Sequence, residues 1–233
     1  METKLLKKEQ LTADVLRLTW VKPEGFDYIP GQFIKFTFNL GQGIIKRNYS
    51  LASHPRENFL TSIIKLANRG KASEIFNALL ADFAVSFDGP YGHFILSEII
   101  RPLIFVATGA GISPEFSMIK EVVKYNPTPQ PIHLFFGLKN KKSIYLADEL
   151  QELKNLKPDF SFAYCLSNEV AGGDNIILKR TPNYISEIWD KLPNADWYIC
   201  GIPEATMNTE KILTDKAVPA SQIHFEHFNP AHK

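Results

Sequence analysis

Between residues 33 and 38 the chain reads Phe-Ile-Lys-Phe-Thr-Phe. On an extended backbone Ile34, Phe36 and Phe38 fall on one side, while Lys35 and Thr37 fall on the other. That period of two predicts a half-buried β-strand. Similar runs at 15–21, 48–52, 60–66 and 84–88 are separated by Gly, Pro, Asn and His, which predicts several short antiparallel strands closing as a barrel. One stretch breaks the rhythm. Residues 71–82 place Ile75, Ala78, Leu79 and Asp82 at helical spacing, with Ile75 and Leu79 as the inward anchors of a single helix.

After Pro90 and a linker over 96–102 the pattern changes. Strand-like runs at 103–107, 132–138, 160–166, 196–200 and 223–228 alternate with helical ones at 114–124, 147–154, 182–191 and 204–216. Alternation of this kind predicts a parallel sheet covered on both faces, with ligands at the carboxyl ends of its strands. The expected fold therefore has two domains: an antiparallel β-barrel over 1–97, followed by an α/β parallel-sheet domain of nucleotide-binding type over 98–233. No internal repeat and no low-complexity segment is visible.

Composition narrows the chemistry more than the fold. The 233 residues suffice for a substantial core without metal or disulfide staples. With 26 Lys and Arg against 25 Asp and Glu, the net charge of +1 creates no bulk field to recruit nucleic acid or an anionic membrane. No uncharged apolar run approaches the roughly 18 residues of a spanning helix, and METKLLKKEQ lacks the apolar core of a secretory signal. The expectation is a cytoplasmic protein without membrane insertion. Cys165 and Cys200 are the only two cysteines and sit in apolar runs, so both are expected to be reduced. Two thiols cannot supply the four of a ferredoxin-type cluster or a four-cysteine zinc site. No iron-sulfur cluster is expected, and any redox chemistry would use an organic cofactor.

Four clusters carry candidate chemistry, each with a plainer alternative. Phe105-Val106-Ala107-Thr108-Gly109-Ala110-Gly111-Ile112-Ser113-Pro114 runs from a buried strand through a small-residue turn into a helix. Gly109 and Gly111 let backbone approach a ligand, and the helix start attracts phosphate; the alternative is an ordinary strand-to-helix turn. In Arg47-Asn48-Tyr49-Ser50 a guanidinium can fork onto a pyrophosphate, a phenol can lie on a flat heterocycle and a hydroxyl can bond a ring nitrogen. Arg47 and Tyr49 share one face of the strand. A surface Arg, a core Tyr and a turn Ser would read the same way. Asn68-Arg69-Gly70-Lys71-Ala72-Ser73 opens the barrel's helix, either as an anion site or as simple capping. Finally, Cys200-Gly201-Ile202-Pro203 closes one strand and Glu226-His227-Phe228 closes another. A thiol at a strand's carboxyl end stands where a ligand binds, or is inert packing.

Taken in order, these clusters resemble the ferredoxin-NADP reductase family. The series is Arg47-x-Tyr49-Ser50, Gly70-x-x-Ser73, Gly89-Pro90-Tyr91-Gly92, Gly109 to Pro114, Cys200-Gly201-Ile202-Pro203 and Glu226-His227-Phe228, which together cover nearly the whole chain. Pro30-Gly31-Gln32-Phe33 resembles the family's entry to a barrel strand, and Gly137 with Tyr145 and Asp148-Glu149-Leu150 resembles its second nucleotide loop. Ala110 stands where the family more usually carries Thr, and Phe228 where it carries Tyr or Trp. The resemblance implies an FAD-binding barrel over 1–97 and an NAD(P)-binding domain over 98–233, with hydride moving from NADH or NADPH to the flavin. Toward FAD it implies Arg47, Tyr49, Ser50, Lys65, Gly70, Lys71, Ala72, Ser73 and Phe228. Toward the pyridine nucleotide it implies Thr108, Gly109, Gly111, Ile112, Pro114, Ser167, Cys200 and Gly201. Ser50, Cys200 and Glu226 would flank the reacting rings.

The implied electron acceptor is a separate molecule: a ferredoxin, a flavodoxin, an oxygenase component or a small molecule. Two alternatives stand beside this reading, a free-flavin reductase and a non-catalytic nucleotide-sensing or electron-relay subunit. After the strand at 160–166, Ser167 is followed by Asn168 and Glu169 where NADP-using relatives tend to present Ser and then Arg. A carboxylate suits a ribose hydroxyl better than a phosphate dianion, so NADH is favoured, with Lys179-Arg180 as the opposing feature.

Overall fold

Strands form at every run where the sequence predicts one, and two more form where it predicts none: a long one at the start of the chain and the two-residue strand Ile176–Ile177. The computed structural model describes residues 1–39, 43–67 and 70–228, so Asn68 and Arg69 of the cluster that opens the barrel's helix lie outside the described residues. The longer unforeseen strand is β1 (Glu2–Thr12), which pairs with two neighbours. Only Thr3, Leu5 and Thr12 of β1 are buried, and its other face is charged, so its apolar period is faint in sequence. Then come β2 (Val15–Val21), β3 (Phe33–Asn39), β4 (Ile44–Ser50), β5 (Phe59–Lys65), α1 (Lys71–Ala78) and β6 (Ala84–Tyr91). They form an antiparallel sheet in the order β4-β3-β6-β1-β2-β5. It curls until the segment after β4 reaches β5, where the Ala52 N–H donates to Thr61 O at 2.7 Å.

Two expectations for this half need correction. The strand expected at 48–52 begins at Ile44 and ends at Ser50, because Leu51 turns away to donate to Gln32 O at 3.0 Å. The helix expected over 71–82 ends at Ala78, and Asp82 adopts a positive φ of 63° that no helix continues through. Its anchors are Phe76 and Leu79, while Ile75 is only partly buried. Phe76 meets Phe38 and Tyr49 edge-on, with ring centroids at 5.4 and 5.1 Å.

The second half contains β7 (Leu103–Thr108), α2 (Ile112–Lys120), β8 (Ile132–Leu138), α3 (Ala147–Leu156), β9 (Phe160–Leu166), β10 (Ile176–Ile177), α4 (Thr181–Glu187), β11 (Asp196–Gly201), α5 (Pro203–Asp215) and β12 (Ile223–His227). All strand pairs are parallel, in the order β10-β9-β8-β7-β11-β12. The helix expected at 114–124 starts two residues earlier, and beyond Lys120 it widens into a π turn over Glu121–Tyr125. The helix expected at 182–191 divides into α4 and a 3₁₀ turn over Trp189–Lys191. The strand expected at 223–228 stops at His227.

Successive strands leave β7 first in one direction and then in the other, so the strand order reverses between β7 and β11. That is the topological switch point, where open α/β sheets take their ligands. One apolar cluster runs from this sheet and α2 to Val15, Ala52 and Ile63 of the barrel, so the two sheets share a core. α2 is the hinge pin of that union: Ser117 Oγ donates to Ser53 O at 2.6 Å, and Lys120 Nζ reaches Glu57 Oε1 at 2.9 Å.

Candidate functional site

On β4 the residues Ile45, Arg47 and Tyr49 share a half-buried side, as the period of two requires. The Arg47 Nη1 donates to Lys46 O at 2.8 Å, but its Nε is buried without a partner. A buried guanidinium nitrogen left unpaired is a costly donor, and an anion would satisfy it. Tyr49 packs its ring on Phe76 and Phe36 and lies largely out of water, which pushes its phenol up from the ordinary range. The Tyr49 ring is therefore fixed by the barrel core. Ser50, next along the strand, is buried at the barrel mouth.

The start of α1 stands beside this strand. No side chain caps the helix, so its first-turn amides are left for water or a ligand. Ser73 Oγ accepts from the Ala67 N–H at 2.8 Å, which leaves its own hydrogen to donate outward. A Cβ at Gly70 would sit 3.3 Å from that Oγ, so glycine keeps the cradle open. Lys71 is exposed, Ala72 and Ser73 are partly buried, and a hollow of about 380 Å³ opens along Gly70, Ser73 and Asn77. Lys65 ends β5 with its ammonium 3.4 Å from Asp14. An uncapped helix start, an orphaned guanidinium nitrogen and a free hydroxyl together fit a pyrophosphate, and thus the dinucleotide FAD.

At the switch point, backbone meets backbone. Gly109 has φ of +53°, and its carbonyl accepts from the Tyr145 hydroxyl at 2.8 Å. A Cβ on Gly111 would lie 2.3 Å from Cys200 O, and one on Gly201 would lie 1.9 Å from Thr108 Oγ1. Only glycine permits this approach of the β7 and β11 ends. Thr108 Oγ1 also accepts from the Ile202 N–H at 3.0 Å, and the Phe228 N–H donates to Gly201 O at 2.8 Å. Ile112 and Pro114 are buried, so their contribution is the position of the helix start. Ser113 is buried as well and bonds both main-chain groups of Ile63 on β5, which ties the loop to the barrel. Lys65 approaches from the same strand, its Cδ 4.0 Å from where a Gly109 Cβ would lie.

Cys200 is fully buried and opposite Glu226 on β12. Burial pushes its thiol well above the usual value, and the nearby carboxyls of Glu115 and Glu226 add to the rise. Burial also raises Glu226, to about 7. Phe228 packs partly buried against the cluster that contains Cys200. Ser167 lies at the end of β9 with its N–H on Leu138 O, and Glu169 accepts from the Lys141 N–H at 3.1 Å and the Val170 N–H at 3.0 Å. Those amide hydrogen bonds lower the Glu169 carboxyl, so this loop presents an anion. Arg180 pairs with Glu204 at 2.8 Å, and Lys179 pairs with Glu187.

Two features escaped the sequence reading. Glu115, directly after the nucleotide loop, is wholly buried with neither carboxylate oxygen bonded; a lone charge among Ile112, Phe116 and Ile119 was its only signal. A second cavity of about 410 Å³ lies between the barrel and α2 and α3. It is lined by Arg17, Lys120, Glu57 and Glu149, and none of the expected site residues borders it. Two of its ion pairs are internal, Arg17 with Glu149 and Lys120 with Glu57.

Residues 2–95 match the Oxidoreductase FAD-binding domain family, and residues 105–211 match the Oxidoreductase NAD-binding domain family. Among curated proteins, the chain is 25% identical over 237 residues to the reductase component of propane 2-monooxygenase from Rhodococcus jostii, covering 98% of this chain and 63% of that protein. It is 26% identical over 213 residues to the electron transfer component of 2-halobenzoate 1,2-dioxygenase from Burkholderia cepacia, covering 88% of this chain and 60% of that one. The chain thus spans about 60% of the length of these two relatives. Among solved structures, the ferredoxin NADP+ reductase from Neisseria gonorrhoeae with bound FAD and NADP superposes with a TM-score of 0.86 at 22% identity, covering 97% of this chain and 98% of that one. A cytochrome P450 reductase from Amycolatopsis superposes with a TM-score of 0.88 at 21% identity, covering 100% of this chain and 71% of that one. Among the described residues, no helix is long and apolar enough to cross a membrane.

Proposed function

The chain belongs to the ferredoxin-NADP reductase family of FAD-dependent NAD(P)H oxidoreductases, and from that premise we propose that it takes hydride from NADH onto FAD held in the barrel and passes electrons to a separate protein acceptor. We place the domain boundary at 97/98 and the protein in the cytoplasm, where its two buried, free cysteines would stay reduced. An oxygenase component is the favoured acceptor, because relatives over most of this chain carry the names of oxygenase reductase and electron transfer components. The observation that carries the reading is the junction of Gly109 to Gly111 with Cys200 and Gly201, placed by Ser113 and Lys65 directly against the barrel strand β5.

Each side chain has a task that its position allows. Arg47 and the α1 start, with Lys71, Ala72 and Ser73, would grip the FAD pyrophosphate. Tyr49 would press on the ring system, and Ser50 would hydrogen-bond its edge. Bound FAD supplies the chemistry of accepting a hydride and releasing electrons singly or in pairs. Thr108, Gly109 and Gly111 would bring backbone amides to the nicotinamide dinucleotide phosphates, with Ile112 and Pro114 holding the helix start. Cys200, Gly201 and Glu226 would shape the nicotinamide pocket, and Phe228 would cover it. Positioning of this kind is worth several orders of magnitude in rate, and it needs no nucleophile from the protein.

NADH rather than NADPH is supported by the loop after β9. Near Ser167 the Glu169 carboxylate is fixed by two amide hydrogen bonds, and it would repel a 2′-phosphate but accept from a ribose hydroxyl. Arg180 and Lys179 are both engaged by carboxylates. A free-flavin reductase would need no pyrophosphate anchor, so the orphaned Arg47 nitrogen weighs against it. The test is the absorption spectrum of the purified protein together with kcat/KM for NADH and NADPH, using ferricyanide as acceptor. Yellow protein carrying FAD, with NADH preferred at least tenfold, is expected. A colourless protein that takes up no FAD would overturn the reading, and an NADPH preference lost in Arg180→Ala would reverse the nucleotide assignment.

A further inference from the structure

Glu115 begins where Gly111 makes contact possible. The two are four residues apart and so share one face of the start of α2, and that face is pressed on Cys200 of β11, whose carbonyl would lie 2.3 Å from a Gly111 Cβ. Glu115 is 0% exposed, and neither oxygen finds a hydrogen-bond partner. Its neighbours along the helix, Ile112, Phe116 and Ile119, are buried apolar residues, as is Tyr198 across the sheet. An apolar side chain of similar size would seat there with no desolvation, so an acid in that place calls for a role.

We propose that Glu115 is a positioning residue of the nicotinamide site, a buried carboxyl that braces the carboxyl end of β11 and orients Cys200 toward the bound nicotinamide. The inference rests on the functional reading above, in which pyridine nucleotide binds against Cys200. Burial pushes the Glu115 carboxyl well above the usual carboxylate range; the Cys200 main-chain amide lies near enough to offset part of that rise but not in hydrogen-bonding geometry. Cys200 rises for the same primary reason, with Glu115 and Glu226 adding to it. Among the other groups on packed elements, the Tyr198 hydroxyl is taken by Ser97, Lys65 on β5 is paired with Asp14, and β7 carries no titratable side chain. Glu226 is thus the group raised to about 7, while burial without a hydrogen-bond partner drives Glu115 toward its neutral form behind the thiol. A neutral acid there can donate as well as accept, and it adds no charge that would trap the cationic product of hydride transfer.

Infrared difference spectroscopy of the purified protein reads this directly. At about pH 8 the wild type should show the C=O stretch of a protonated carboxyl, absent from Glu115→Gln and displaced when NAD+ is added. In stopped-flow reduction at saturating NADH, Glu115→Gln should stay within about threefold of wild type. Glu115→Leu should lose about tenfold in rate, equal to about 1.4 kcal/mol, with KM little changed and thermal stability equal or higher. A Glu115→Leu variant that reduces at the wild-type rate would overturn the proposal. So would the absence of the protonated band, or a band that NAD+ leaves unmoved, and both of these stand even if the Leu variant fails to fold. Calorimetric titration of the wild type with NAD+ separates the two levels: no binding there sinks the functional reading, whereas binding with an unmoved band sinks only the role of Glu115.

Discussion

Arg47 offers the sharpest test available at a single residue. Its Nε is buried and unbonded on the half-buried side of β4, so removing the side chain removes the charged donor at the cost of one local hydrogen bond, Nη1 to Lys46 O. Arg47→Ala is expected to weaken FAD binding by about 1.5–3 kcal/mol, roughly 10- to 150-fold, read as the Kd of apoprotein titrated with FAD. Glu226 supplies a pH dependence. Its folded value of about 7 lies above the ordinary 4.5, so folding takes up a proton between those values. The stability it contributes is complete below the lower value and lost as pH rises through the higher. Melting temperature should therefore fall between about pH 5 and pH 8, and Glu226→Gln should flatten that fall. A difference of zero between the two melting profiles would remove Glu226 from its buried setting.

At the scale of elements, α1 is the piece on which the proposed FAD cradle depends. Phe76 is 0% exposed and holds the helix to Phe38 and Tyr49. Phe76→Ala should cost about 3–5 kcal/mol in urea unfolding, and it should also lower FAD affinity, since Gly70 and Ser73 ride on the same helix. Most elements were legible because their periods were clean: β2, β8 and β9 occupy the expected residues. β1 was not, because its outer face is charged and only Thr3, Leu5 and Thr12 are buried to mark its inner side. The π turn at Glu121–Tyr125 was equally hidden. What it does is deliver Glu121 to His54 and stack Tyr125 on the His54 ring at 3.8 Å, contacts made between residues about 70 apart.

For the whole molecule, the proposed hydride transfer would depend on how firmly the two sheets are joined, and α2 carries side-chain bonds from one to the other. Lys120 donates to Ala52 O at 3.2 Å and pairs with Glu57 at 2.9 Å; burial lowers its ammonium from the ordinary value, and Glu57 opposes that shift. Lys120→Met would leave the partly buried Glu57 carboxylate without its cation, with only the Tyr125 hydroxyl at 3.4 Å donating to it among the described residues, at a cost of about 1–3 kcal/mol. Faster limited proteolysis in the irregular segment 92–102 and slower flavin reduction by NADH are expected, with FAD affinity retained. Flavin reduction at the wild-type rate in that variant would show that the docking of the halves is not what sets the distance between the rings.

The sequence by itself determined the two kinds of sheet and the order of the motifs, because period, turn chemistry and spacing are local properties of the chain. It named Arg47, Gly70, Gly109, Cys200 and Glu226 as a set. Only the tertiary structure decided what each of them touches. Ser113 reads as a phosphate-loop residue, yet it bonds Ile63 of the barrel, and Phe76 rather than Ile75 anchors α1. Glu115 reads as one more surface charge in a helix, and it lies dry beside Cys200. The reason is the same in each case: a side chain's burial and partners are set by segments far away in sequence, which periodicity cannot see and packing alone assigns.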